Sequence, residues 1–160
     1  MRKLILEESK KAVSDAADVA KKKIDAEIET MAKEVKNNPL VKDWNTPFQT
    51  PPFNEIQNKH YMPAFEYAIL LAKKDVANII NQKEEPNFEN TIAALDRSGE
   101  LLNRISGVFF NLLYSNTSAE LQEISKKIQP KLTEYQNEIS LNNELFKKVN
   151  IVYTQKAKLN

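Results

Sequence analysis

Five of the seven prolines in this 160-residue chain fall between Pro39 and Pro63, and they decide where helices can run. Proline fixes φ near −65°, donates no backbone hydrogen bond and biases the residue before it away from the α region. The stretch NTPFQTPPFNEIQNKHYMPAFEYAI, residues 45–69, therefore opens as a connector and closes as a helix, with Pro63 in the first turn, where a helix accepts it. Pro39, Pro47, Pro51 and Pro52 predict an extended, semi-rigid strap over residues 37–59. Trp44, Phe48, Phe53 and Ile56 are spaced too irregularly for a strand and are expected to anchor the strap across a helical surface. A proline-rich recognition peptide is the alternative use of such a segment.

Either side of the strap, apolar residues recur three and four apart, the period of an amphipathic helix. Residues 3–36, rich in Ala, Lys and acids, place Val13, Ala17, Ala20, Ile24, Ile28, Met31 and Val35 on one narrow stripe. This predicts a long first helix, residues 1–36 forming a segment distinct from a helical domain over 37–160. It can dock on the body or pair with another helix. Phe65, Ala68, Ile69, Ala72, Val76, Ile79 and Ile80 mark a helix running to about Gln82. Asn87 is placed to cap the next, with Ile92, Leu95, Leu102, Ile105, Phe109 and Leu112 inward up to about Ser115. Gly99 and Gly107 interrupt that face, and a glycine inside a helix costs about 1 kcal/mol against alanine, so each is expected at a close crossing or a bend.

Thr117 to Glu120 has capping-box spacing. The helix after it carries Leu121, Ile124, Ile128, Leu132, Tyr135 and Ile139, and Pro130 should kink it. Asn142 can cap a last helix with Leu145, Phe146, Val149, Val152 and Tyr153 inward. No alternating apolar run, Asn-Gly or Asp-Gly occurs. The expected fold class is all-α: a multi-helix bundle with a long N-terminal helix and a proline-rich extended strap.

Composition narrows the chemistry. Lysine plus arginine (23) nearly matches aspartate plus glutamate (22), so no overall basic field draws nucleic acid or an acidic membrane surface. The runs Lys21–Lys23 and Lys126–Lys127 lack interleaved aromatics and are answered by nearby acids. The opening MRKLIL is too short for a signal-peptide core, and the longest other apolar run, Ala68–Ala72, is far below the ~20 residues that span a bilayer. With no cysteine there is no disulfide or thiolate site, and the compartment stays open. Two glycines exclude Gly-rich phosphate loops. His60 is the single histidine, so HExxH cannot be built, Glu55 and Glu66 are merely near it in sequence, and no serine sits in a nucleophile elbow. His60 is instead expected to bond a loop carbonyl at the helix entrance. Glu84 and Glu85, between Lys83 and Pro86, read as solvated loop charge rather than an acid–base pair. No catalytic, cofactor-binding or metal-ligating residue is assigned.

Three stretches carry a resemblance: NPLVKDWNTPFQTPPFNEI (38–56), HYMPAFEYAI (60–69) and PNFENTIAALDRSGELLNRISGVFFNL (86–112). Together they resemble the beginning of bacterial peptidyl-dipeptidases of the thimet oligopeptidase (M3) family. The resemblance implies a wholly helical, two-lobed shell around a channel, in which zinc held by HExxH and a further glutamate activates water to cut short peptides, often releasing C-terminal dipeptides. None of those ligand positions has a counterpart here, so the zinc it implies belongs to a parent enzyme and no hydrolysis is expected of these residues alone. Phe48, Pro52, Phe53, Tyr61, Pro63, Phe65, Phe88, Asn90 and Thr91 match the family pattern, with an architectural role implied. Residues 1–36 do not match. The partners implied are the remaining catalytic lobe and, in a full-length protein only, peptide substrate, with self-association possible through residues 1–36 or an exposed groove. The alternative is a stand-alone helical interaction module.

Overall fold

A computed structural model describes residue 19 and residues 21–155. Of the expected first helix, residues 21–35 are helical (α1); Val13, Ala17 and Ala20 lie outside the described residues. Then come α2 (Tyr61–Asn81), a π-helical turn (Phe88–Ala93), the short α3 (Ala94–Arg97), α4 (Glu100–Ser115), α5 (Ala119–Ser140) and α6 (Asn143–Thr154). Among the described residues no strand occurs.

Side-chain contacts set the directions. Phe109 on α4 meets the rings of Tyr61 and Phe65 edge-on at 4.9 and 5.5 Å, while the Gly99 amide before α4 donates to Asp75 Oδ2 at 3.3 Å. Hence α4 runs antiparallel to α2. Lys131 pairs with Glu66 at 3.1 Å and Glu138 with Lys73 at 2.8 Å, so α5 runs parallel to α2. Asp25 pairs with Lys74 at 2.7 Å, and Asn38 Nδ2 donates to the His60 carbonyl at 2.8 Å, which makes α1 antiparallel to α2. The main core gathers Leu40, Tyr61, Phe65, Ile105, Phe109 and Ile128, all fully buried or nearly so. A satellite cluster of Val76, Ile79 and Leu145 holds α6 at the far end, where Lys148 Nζ donates to the Gln82 carbonyl at 3.0 Å.

Several local expectations change. The helix expected from residue 88 to 115 is broken. Asn87 and Asn90 cap each other's amides at 2.9 Å and start a π-helical turn, and Gly99, at φ +71°, separates α3 from α4. A Cβ on Gly99 would lie 3.3 Å from Ala72 Cβ, the close crossing its position predicts. Gly107 is different: α4 runs straight through it and a Cβ there would meet nothing within 4 Å, so it marks neither crossing nor bend. Ser118, not Thr117, caps α5, its Oγ accepting from the Leu121 amide at 3.2 Å. With Ser118 as the cap, Glu120 is one position short of the capping-box site, and it accepts from Asn58 Nδ2 at 2.7 Å. Pro130 sits inside α5, which continues to Ser140. Asn142 caps α6 as expected, accepting from the Leu145 amide at 2.9 Å. Phe146 and Tyr153 point outward rather than inward, because α6 lies at the end of the bundle and buries the single stripe of Leu145 and Val152.

Candidate functional site

The segment from residue 36 to His60 forms turns and two 3-10 turns, Pro47–Gln49 and Asn58–His60, rather than an extended strap. Polar side chains replace the missing helix ladder. Asn38, itself buried, accepts from the Leu40 amide at 3.0 Å and donates to the His60 carbonyl, tying the two ends of the segment together. Arg104 of α4 reaches up with one terminal nitrogen to the carbonyls of Leu40, Val41 and Lys42 at 3.2–3.3 Å. Its guanidinium lies over the Trp44 ring at 4.8 Å, a cation–π contact, and Trp44 Nε1 donates to the Pro39 carbonyl at 2.9 Å.

Of the four expected anchors, Trp44 and Ile56 pack on the core. Phe48 and Phe53 do not: they are 99% and 52% exposed. Phe48 and Gln49 both take left-handed backbone, φ +58° and +54°. The turn is closed by the Thr46 hydroxyl on the Thr50 carbonyl and by the Thr50 hydroxyl on the Pro47 carbonyl at 3.1 Å. Of the residues that match the family pattern, Tyr61, Phe65 and Thr91 are buried and Asn90 caps, while Phe48, Phe53 and Phe88 face water in this chain.

His60 is a local cap. Its Nδ1 accepts from the Gln57 amide at 3.0 Å, instead of the ring donating to a carbonyl. Partial burial, helped by the Lys59 charge, pushes its pKa below the ordinary 6.5, which keeps Nδ1 free to accept. Glu66 is taken by Lys131 on α5, and Glu55 sits in the exposed part of the entrance segment. Glu84 and Glu85 lie exposed in the loop after α2, where the Glu85 carbonyl accepts from Asn90 Nδ2 at 3.0 Å. Among the described residues no three His, Cys, Asp or Glu side chains gather to hold a metal ion. The donor set thus does not fit the zinc of the resembling enzymes, and no catalytic step passes through it here.

An open groove of about 1210 Å³ runs along α5, walled by Lys126, Thr133, Glu134, Asn137, Glu138 and Leu141. Three of its groups are engaged locally: Lys126 on Glu123, the Thr133 hydroxyl on the Gln129 carbonyl and Glu138 on Lys73. No nucleophile there faces a base. Tyr61 Oη is buried in the core with no hydrogen-bond partner, and burial raises its pKa. No helix among the described residues is long and apolar enough to cross a membrane.

No family model matches the chain. It is similar to the dipeptidyl carboxypeptidase of Escherichia coli K12, 38% identical over 122 residues, which are 76% of this chain and 18% of that protein. The Salmonella typhimurium LT2 dipeptidyl carboxypeptidase is 36% identical over the same shares. Over about three quarters of its length the chain is thus similar to peptidases of the M3 family. Oligopeptidase A of Escherichia coli K12 is 30% identical over 110 residues, 69% of this chain and 16% of that protein, which carries the likeness across more than one kind of M3 enzyme. The chain spans under a fifth of the length of these M3 relatives. The sequence-level resemblance to this family is thereby shown, as is the all-α class.

Proposed function

We propose that these residues form the non-catalytic, amino-terminal helical domain of a zinc peptidase that hydrolyses short peptides and releases dipeptides from their C-terminal end. The observation that carries this reading is the pairing of 38% identity to a dipeptidyl carboxypeptidase with a helical body whose described residues hold no metal-ligating group. The same body supplies no acid–base pair: His60 is committed to the Gln57 amide and Glu66 to Lys131. The domain's work is to wall one side of the peptide channel that the remaining lobe completes.

Two measurements test it. The coding frame downstream of Asn160 should supply HExxH on a helix; a frame without it removes the parent enzyme. The 160-residue chain, incubated with peptides bearing a free C-terminal dipeptide, with and without added zinc, should release nothing. Turnover that follows the purified chain through successive columns would overturn the non-catalytic assignment.

A further inference from the structure

The entrance segment holds an aromatic ring out of the core by its own backbone. Phe48 is 99% exposed and sits at φ +58°, followed by Gln49 at +54°, a conformation that non-glycine residues adopt rarely and bulky ones least of all. The threonine hydroxyls at 46 and 50 lock the turn in that shape instead of letting the ring fold back beside Trp44. Five residues on, after Pro51 and Pro52, Phe53 is half exposed. Both ends of this segment are fastened on the α4–α5 side, through Arg104 and through Asn58 on Glu120. The C-terminal end of α4 lies at the same end of the bundle, and there Tyr114, 81% exposed, stacks on Phe110 with centroids 6.4 Å apart.

We infer that the loop presenting Phe48 and Phe53 is the surface on which the rest of the peptidase polypeptide docks. The inference rests on the reading under Proposed function. The matched 122 residues are 18% of the Escherichia coli relative, so in a protein of that kind more than four fifths of the chain lies outside a domain this size and must pack against it somewhere. Aromatic side chains, presented rigidly and losing little entropy on burial, are the residues that dominate such contacts. Two other occupants fit less well. The notch beside the loop, about 250 Å³, sets Lys42, Asp43, Asn45 and Glu55 beside Trp44 and two prolines, a mixed socket whose charged groups a second copy's Phe48 would leave unpaired. A lipid surface would ask for clustered cations, and the loop offers Asp43 and Glu55 against Lys42 and Lys59.

The test uses unsubstituted protein. Hydroxyl-radical footprinting of the 160-residue chain and of the longer polypeptide encoded by the continuing frame, each normalised to an added peptide dosimeter, reads the oxidation rate of residues 46–55. We expect that rate to fall at least about tenfold in the longer protein, as burial of a fully exposed ring requires. A second arm replaces both rings, Phe48→Ser with Phe53→Ser. The melting temperature of the 160-residue chain should not move, and that of the longer protein should drop. Equal oxidation rates in the two proteins, or equal melting shifts, would overturn the docking surface while leaving the peptidase assignment intact. A frame that encodes no further peptidase sequence would instead overturn the assignment, and the docking surface with it.

Discussion

Phe65 and Phe48 are the same residue type on either side of the entrance to α2, yet one is 0% exposed and the other 99%. The difference is backbone regularity. In α2 the 3.6-residue period puts Phe65 on the stripe with Ala68, Ile69 and Ala72, and all four are buried in one core with residues of α4 and α5. In the entrance segment no period exists. Each side chain's direction depends on its own φ, and proline and threonine set those angles for the turn, not for burial. Hydrophobicity alone therefore says that Phe48 should be covered, and not by what.

The comparison can be sharpened by substitution in the 160-residue chain, followed by chemical or thermal unfolding. The largest effect is expected from Phe65→Ala, which removes a ring packed edge-on against Phe109 and should cost about 3–5 kcal/mol. Asn38→Ala comes next, because it strands the Leu40 amide and the His60 carbonyl at a buried site; about 1–3 kcal/mol should be lost. The two glycines should then split in sign. Gly99→Ala faces a positive φ and a tight approach to Ala72 and should destabilise by about 1–2 kcal/mol, whereas Gly107→Ala, in open helix, should stabilise by about 0.5–1 kcal/mol. Smallest of all, Phe48→Ala should change stability by less than about 0.5 kcal/mol. A large loss at Phe48 would erase the contrast with Phe65, for it would mean that the ring is anchored within this chain.

These same residues show what was legible. Helix α2 and the caps at Asn87 and Asn142 follow from proline placement, period and side-chain chemistry, all of them local. Gly99 was readable as a special position, but Gly107 carried the same signal without the cause, since a positive φ and the tertiary neighbour Ala72 distinguish Gly99. The break of the third helix at residues 98–99 and the outward turn of Phe146 depend on which elements lie opposite, which periodicity does not encode. Ser118 rather than Thr117 caps α5, and Glu120 bonds Asn58, a partner 62 positions away that local spacing does not reveal. In the candidate site, a lone imidazole excluded HExxH directly, but the Arg104–Trp44 clasp went unseen: a cation and an aromatic 60 positions apart leave no mark in either one's neighbourhood.

The central claim is the proposal that these residues provide framework for a peptidase and leave metal chemistry to residues elsewhere. Calorimetric titration of the folded 160-residue chain with zinc at neutral pH puts it to the most direct test. The account predicts heats no greater than those of weak, non-stoichiometric surface binding. A saturable one-to-one site of sub-micromolar affinity, lost on unfolding, would contradict it.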